Sequence, residues 1–184
     1  MFVDIFDTER KYGIIYADPP WTYKTYSGKG KEKRSAENHY PCMKKEDIQA
    51  LPVEKLAGKD CILFLWVTWP CIEEGLELIR AWGFKYKTCA FNWVKRCRKS
   101  DKWHWGLGFW TRANSEVCLL ATKGHPKRAS KRVHQVVDAR IREHSRKPDE
   151  VRKRIVELGG DIPRIELFAR EHTEGWDCWG NEVE

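Results

Sequence analysis

Apolar runs alternate with amphipathic stretches along most of the chain, and the two periods predict an ordered series of strands and helices. YGIIYA (12–17) is apolar on both sides of its pleat, the pattern of a strand buried on two faces. KKEDIQALPVEKLA (44–57) has helical stretches interrupted by Pro52, which lacks a backbone N–H. CILFLWV (61–67) is the clearest buried strand. PCIEEGLELIRAWG (70–83) places apolar residues at 72, 76, 79 and 82, one helical stripe, and Gly83 is suited to end it. KYKTCAFNWVK (85–95), SEVCLLATKG (115–124) and VHQVVDA (133–139) predict three further strands. PDEVRKRIVELGG (148–160) predicts a helix, with Pro148 at its first position, acids in its first turn and Gly159-Gly160 as its stop. PRIELFAR (163–170) is the last strand, and the aromatic tail EHTEGWDCWGNEVE is expected to fold back onto the rest.

Strands alternating with helices predict an α/β protein: a mainly parallel sheet with helices on both faces. No internal repeat or interdomain linker is visible, so residues 1–184 are expected to form a single domain. The polar stretches at 22–42 and 96–114 are candidates for a lid or a substrate grip, because structureless loops of that length usually serve function.

Composition narrows the classes. A chain with 41% hydrophobic and 33% charged residues is globular rather than disordered. No apolar run approaches the roughly 18–20 residues of a membrane span, and the amino terminus lacks the order of a signal peptide. Seven cysteines, an odd number without a C-x-x-C pair, argue against a zinc knuckle and for free thiols in a reducing, cytoplasmic setting. The net charge of +7 is unevenly spread: residues 85–154 hold 20 Lys/Arg against 6 Asp/Glu, and the remainder 14 against 21. Such a directed patch suits a polyanion. WHWGLGFW (103–110) lies inside it, and rings among cations are what base stacking uses. The basic stretches 96–112 and 123–134 are expected to track phosphates.

Most familiar chemistries lack their motif. There is no P-loop, neither G-x-G string lies between a strand and a helix, the histidines lack metal spacing, and no G-x-S-x-G elbow occurs. ADPPW (17–21) stands out instead: a carboxylate at a strand end, where open α/β sheets bind ligands, followed by two prolines that stiffen the chain. The exocyclic amine of adenine is a poor nucleophile because its lone pair is delocalised into the ring, so an enzyme that methylates it must orient it. Asp18 can accept one N–H, the Pro19 carbonyl the other, and Trp21 offers a face for an extruded base. Flipping costs a few kcal/mol, and one aromatic stack returns about 1–3 kcal/mol. The methyl donor would be S-adenosyl-L-methionine, whose sulfonium charge also favours a nearby carboxylate.

ADPPW (17–21), FLWVT (64–68), HSRKPDE (144–150), RIELFAR (164–170) and GWDCWGNE (175–182), in that order, resemble the adenine-N6 methyltransferase family named after the seventy-kilodalton subunit of the eukaryotic mRNA methyltransferase. The resemblance implies a Rossmann-like S-adenosylmethionine-dependent methyltransferase fold of permuted motif order, with the catalytic motif ahead of the cofactor half. It assigns Asp18, Pro19, Pro20 and Trp21 to catalysis. Asp18, Lys147, Arg170, His172, Asn181 and Glu182 are assigned to the donor: Arg170 and His172 to its ribose and carboxylate, Asn181 and Glu182 to its ribose hydroxyls. Trp21, Tyr23, Glu116, Ser145 and Lys147 are assigned to the acceptor. The bland alternatives are a helix-flanking amine at 147, a surface charge at 170, a satisfied polar group at 172 and a solubilising strand-edge carboxylate at 116. Ala169, Thr173 and Glu182 depart from the common glycine, asparagine and glutamine. A family element that touches the donor's adenine is missing, or is replaced by residues 2–7.

The expected activity is therefore methyl transfer to adenine N6 in nucleic acid, with compact size favouring DNA over RNA. The rivals are an RNA adenosine methyltransferase, a non-catalytic nucleic-acid-binding partner subunit, and a cytosine-N4 enzyme, whose motif usually begins with Ser. The aromatics at 103–110 suit base stacking or burial in a homodimer or against a partner subunit.

Overall fold

The structure, a computed structural model, describes residues 1–21, 43–108, 110–143 and 146–183. Seven strands form one sheet: β1 Tyr12–Ala17, β2 Ala57–Val67, β3 Lys85–Arg96, β4 Glu116–Lys123, β5 Val136–Arg140, β6 Arg164–Leu167 and β7 Asp177–Trp179. Their order in space is β5-β3-β4-β2-β1-β6-β7. Pairings β1–β2, β1–β6, β6–β7 and β3–β5 are parallel, whereas β4 runs antiparallel to both β2 and β3. The mainly parallel sheet expected from the sequence is present, with β4 as its one reversed strand. Among the described residues no helix separates β3 from β4, and the two strands pair antiparallel, so the chain turns back as a long hairpin instead of crossing over.

The helices are α1 Lys45–Gln49, α2 Val53–Leu56, α3 Ile72–Ala81 and α4 Glu150–Gly159, with a 3-10 turn at Trp69–Cys71 before α3. Pro52 separates α1 from α2, as its missing N–H requires. Strand alternation divides the core in two. Ile15, Ala17, Leu63, Leu65 and Val67 pack with α1, α2 and α3 through Ile48, Val53, Leu56, Leu78 and Ile79. Ile14, Tyr16, Ile62, Phe64 and Trp66 pack on the other face with Val151 and Ile155 of α4. Helices thus cover both faces, and the strands between them read as continuous apolar runs.

Two helix ends bear on the expectations. Gly83, at φ +77°, takes the left-handed position just after α3 that a glycine adopts without penalty. Pro148 does not occupy the first position of α4: the helix begins at Glu150, and the Pro148 carbonyl accepts the Val151 N–H at 3.1 Å.

The tail does fold back, as β7 on the edge of β6. The amino terminus then closes that edge: Val3 N–H donates to the Cys178 carbonyl at 2.9 Å, and Cys178 N–H to the Met1 carbonyl at 2.9 Å. An edge strand left open would offer unpaired backbone groups. The strand that bears Asp18 comes first in the sheet's sequence order yet lies in its interior, with β6 and β7 added last.

Candidate active site

The carboxyl ends of the parallel strands define one edge of the sheet, and the reversed β4 brings its amino end there. Register fixes the neighbours. Ala17 lies opposite Leu65 and Leu167, Val67 opposite Val117, and Trp93 opposite Glu116. Along this edge stand Lys95 on β3, Glu116 on β4, Thr68 after β2, Asp18 after β1, Ala169 and Arg170 after β6, and Asn181 and Glu182 after β7.

Asp18, Lys147 and Glu116 meet here from three distant parts of the chain. The Lys147 ammonium donates to Oδ1 and Oδ2 of Asp18 at 2.9 and 2.8 Å and lies 3.2 Å from Oε2 of Glu116. Lys95 reaches Oε1 of Glu116 at 2.5 Å. Glu116 is only 8% exposed, so it is not a strand-edge solubiliser. Burial by itself raises its carboxyl, but the charges of Lys147 and Lys95 outweigh that and hold it at about 2. Burial likewise lowers the Lys147 amine, yet Asp18 and Glu116 hold it well above its ordinary value, so both groups stay charged at neutral pH.

Pro19 and Pro20 end the ladder, and the chain closes a tight turn in which Trp21 N–H donates to the Pro19 carbonyl at 2.8 Å. That carbonyl keeps a second lone pair. The Trp21 indole N–H is fixed on the Trp66 carbonyl at 2.8 Å, leaving the ring half-buried. Trp66, whose own indole donates to the Tyr16 hydroxyl at 2.7 Å, lies 5.5 Å from the Lys147 ammonium. Arg142 fixes the backbone below Lys147, donating to the Lys147 carbonyl at 2.7 Å and to Asp149 at 2.8 Å.

Arg170 and Glu182 face one another across the β6–β7 end at 3.8 Å, with Asn181 exposed beside them. Gly180 makes this approach possible, since a Cβ there would stand 2.4 Å from the Ala169 carbonyl oxygen. Phe168, before it, is a bulky residue at φ +60°, a strained conformation that turns the chain out of β6. His172 is exposed, and its Nδ1 lies 3.2 Å from the Cys178 thiol sulfur. Phe6 stands edge-on to Trp179 at 6.2 Å, which puts residues near the amino terminus beside the β7 end. Tyr23 and Ser145 lie outside the described residues, as does the stretch 22–42.

The described residues of the stretch 96–114 are not structureless. Asn114 Nδ2 donates to the carbonyls of Lys95 and His104 at 2.9 and 2.6 Å, and Gly106 N–H donates to Ala113 O at 2.7 Å. Arg96 stacks on Trp103 at 3.5 Å. The extension leaves the site's edge with Trp105, Leu107 and Trp110 exposed. The basic stretch 123–134 departs from the opposite edge, because β4 is reversed and Lys123 pairs with Cys61 at the start of β2. The two basic segments therefore do not share one edge.

Sequence patterns missed Lys95, Trp66, Arg142 and Phe168. Lys95 and Arg142 are two cations among 20 in residues 85–154, and nothing in their spacing sets them apart. Trp66 read as core, which it also is.

An α/β sheet with a carboxylate–amine cluster at the carboxyl ends of its central strands, behind a rigid Asp-Pro-Pro-Trp turn, defines a methyltransferase of the Rossmann-like type. The chain belongs to the MT-A70 family, whose profile matches residues 12–182. It is 35% identical over 95% of its length to the type II methyltransferase M.MunI of Mycoplasma sp., spanning 78% of that protein. It is 30% identical over 95% of its length to the human N6-adenosine-methyltransferase catalytic subunit METTL3, and 32% over 94% to a probable rice N6-adenosine-methyltransferase MT-A70-like protein. It spans only 28% and 23% of those two chains. Among the described residues, no helix is long and apolar enough to cross a membrane.

Proposed function

We propose that residues 1–184 act as one catalytic domain that transfers a methyl group from S-adenosyl-L-methionine to N6 of adenine in nucleic acid, with DNA favoured over RNA. The observation that carries this is the Asp18–Lys147–Glu116 cluster at the end of β1, reached by a turn whose prolines fix its shape.

The donor, when bound, supplies an electrophilic methyl group on a cationic sulfur. The residues of the β6–β7 end fit its polar parts: the Arg170 guanidinium suits a carboxylate, and Asn181 and Glu182 suit ribose hydroxyls. Arg170 and Glu182 are 30% and 56% exposed, so their loose pair is open to exchange with such groups. On the acceptor side, Asp18 and the Pro19 carbonyl accept the two N–H bonds of the amine and aim its nitrogen. Each Asp18 oxygen retains a lone pair beside its bond from Lys147. Transfer would form the N–C bond as the donor's S–C bond breaks, its sulfur leaving as a neutral thioether, and Asp18 is placed to take the proton that the amine gives up. Trp21, held by Trp66, stacks on the base. The exposed cations and rings of 96–112 bind the strand outside the site.

Support for DNA comes from the likeness to a type II methyltransferase, 78% of which the chain spans. Support for adenine N6 comes from the Asp-Pro-Pro-Trp turn and from relatives named N6-adenosine-methyltransferases. The test is methyl transfer from labelled donor into duplex DNA, single-stranded DNA and RNA, with the product nucleoside identified by mass. N6-methyladenine on duplex DNA, lost in Asp18→Ala, is the expected result. Product on RNA alone would reverse the polymer assignment, N4-methylcytosine would reverse the base, and binding without transfer would favour a partner-subunit role.

A further inference from the structure

The chain Lys95–Glu116–Lys147–Asp18 alternates cation and anion, and its outer cation comes from a strand that does not border Asp18. Glu116 is on β4, two strands from β1, and Lys95 is on β3, three strands from it. Lys95 takes Oε1 of Glu116 at 2.5 Å and Lys147 takes Oε2 at 3.2 Å, while Lys147 lies nearer to Asp18, at 2.8 Å. We propose that Lys95 is a positioning residue for methyl transfer: by holding one oxygen of Glu116, it keeps Lys147 shared with Asp18.

The physical reason is competition. Glu116 and Asp18 both attract the Lys147 ammonium inside a site where Glu116 is nearly dry. With Lys147 as the single cation on Glu116, that carboxylate would draw the amine toward itself and away from Asp18. A second cation on Oε1 offsets part of that demand.

Lys95 is built for a fixed role. Its backbone N–H donates to Asn114 Oδ1 at 3.0 Å, and its carbonyl accepts from Asn114 Nδ2 at 2.9 Å and from His104 N–H at 2.9 Å. The Trp93 ring lies 4.9 Å from its ammonium, and the side chain is only 17% exposed. A lysine that tracked phosphates would need neither the clamp nor the burial. This assignment rests on the methyl-transfer reading above.

The test is a double-mutant cycle on the full chain. Lys95→Met, Glu116→Gln and the double variant are assayed for kcat and KM with duplex DNA, beside Lys95→Arg. Lys95→Met is expected to lower kcat on the order of 10–100-fold, the cost of displacing a reacting group by about an ångström. KM for DNA should stay within about twofold, and Lys95→Arg should recover most of the rate. The double variant should be no slower than Glu116→Gln alone, because Lys95 acts only through Glu116.

An unchanged kcat, or losses that multiply in the double variant, would overturn the assignment. So would a raised KM with a shallower salt dependence, the mark of a phosphate contact. If Lys95→Met fails to fold by circular dichroism, Lys95→Gln keeps a hydrogen bond without the charge, and a wild-type kcat from it overturns the proposal equally. A wild-type chain that methylates no polymer overturns the functional reading and this one together; a loss confined to the variants' expected pattern separates the two.

Discussion

The Lys147 ammonium bridges both carboxylate oxygens of Asp18, at 2.8 and 2.9 Å, across 129 residues of sequence. The contact joins the end of β1 to the approach to α4 and places a permanent cation beside the proposed proton acceptor. Asp18→Asn preserves the shape and removes the charge. It is expected to lower kcat on the order of 10²–10³-fold with donor affinity changed far less, read by steady-state kinetics beside calorimetric donor titration.

Lys147→Met removes the cation that two carboxylates share. Breaking a buried pair by deleting one partner costs about 3–5 kcal/mol, so a large fall in Tm is expected from thermal melts. Lys147→Arg should melt much closer to the wild type. A Lys147→Met chain as stable as wild type would show that the cluster does not hold β1 to the α4 approach.

Glu116 gives the acid limb of stability a specific source. Its carboxyl is held at about 2 in the folded chain, against an ordinary 4.5. Between those values the unfolded chain binds the extra proton, so the stability this group contributes is complete above about 4.5 and is lost as pH falls toward about 2. Glu116→Gln should flatten the dependence of unfolding free energy on pH across that window. Urea titrations at stepped pH values read it directly, and an unaltered slope would count against the ionised, doubly paired carboxylate.

Trp21→Ala is expected to weaken binding of an adenine-containing oligonucleotide by about 1–3 kcal/mol, the worth of one base–aromatic stack. Trp21→Phe, which keeps a ring but loses the bond to the Trp66 carbonyl, should recover most of it. Fluorescence anisotropy with a labelled duplex measures both. Equal losses in the two variants would assign the effect to the Trp66 contact rather than to stacking.

The reversed β4 yields a test of where nucleic acid runs. Lys99 and Lys102 leave the site's edge, whereas Lys127 and Arg128, equally exposed, follow the opposite edge. Replacing either of the first pair with Ala should reduce the slope of log affinity against log salt by about 1. Replacing either of the second pair should leave it unchanged. Equal effects would mean that the polyanion wraps around the sheet.

Much of the architecture was legible because the periods are clean. YGIIYA and CILFLWV cannot be placed except between two apolar layers, and Gly83 marks the end of α3 within two residues. Asp18 was legible for a similar local reason: prolines that cannot extend a ladder announce a strand end with a carboxylate on it. Less legible was the stretch 96–114, whose described residues are ordered by polar bonds such as those of Asn114 to Lys95 and His104 and of Arg112 to the Trp105 and Gly106 carbonyls. Residues that order a loop through polar bonds leave no periodic trace.

The sequence alone determined the strands, the helical stripes and the rigid Asp-Pro-Pro-Trp turn, since each depends on neighbours within a few positions. Tertiary structure alone decided that β4 runs backwards, and with that much of the site. Reversal brings Glu116 rather than Lys123 to the edge with Asp18, seats Lys95 against it, and sends the second basic segment to the far side. Strand direction is set by which connection lets both faces of the sheet be buried at once, a property of the whole packed chain and of no single stretch within it.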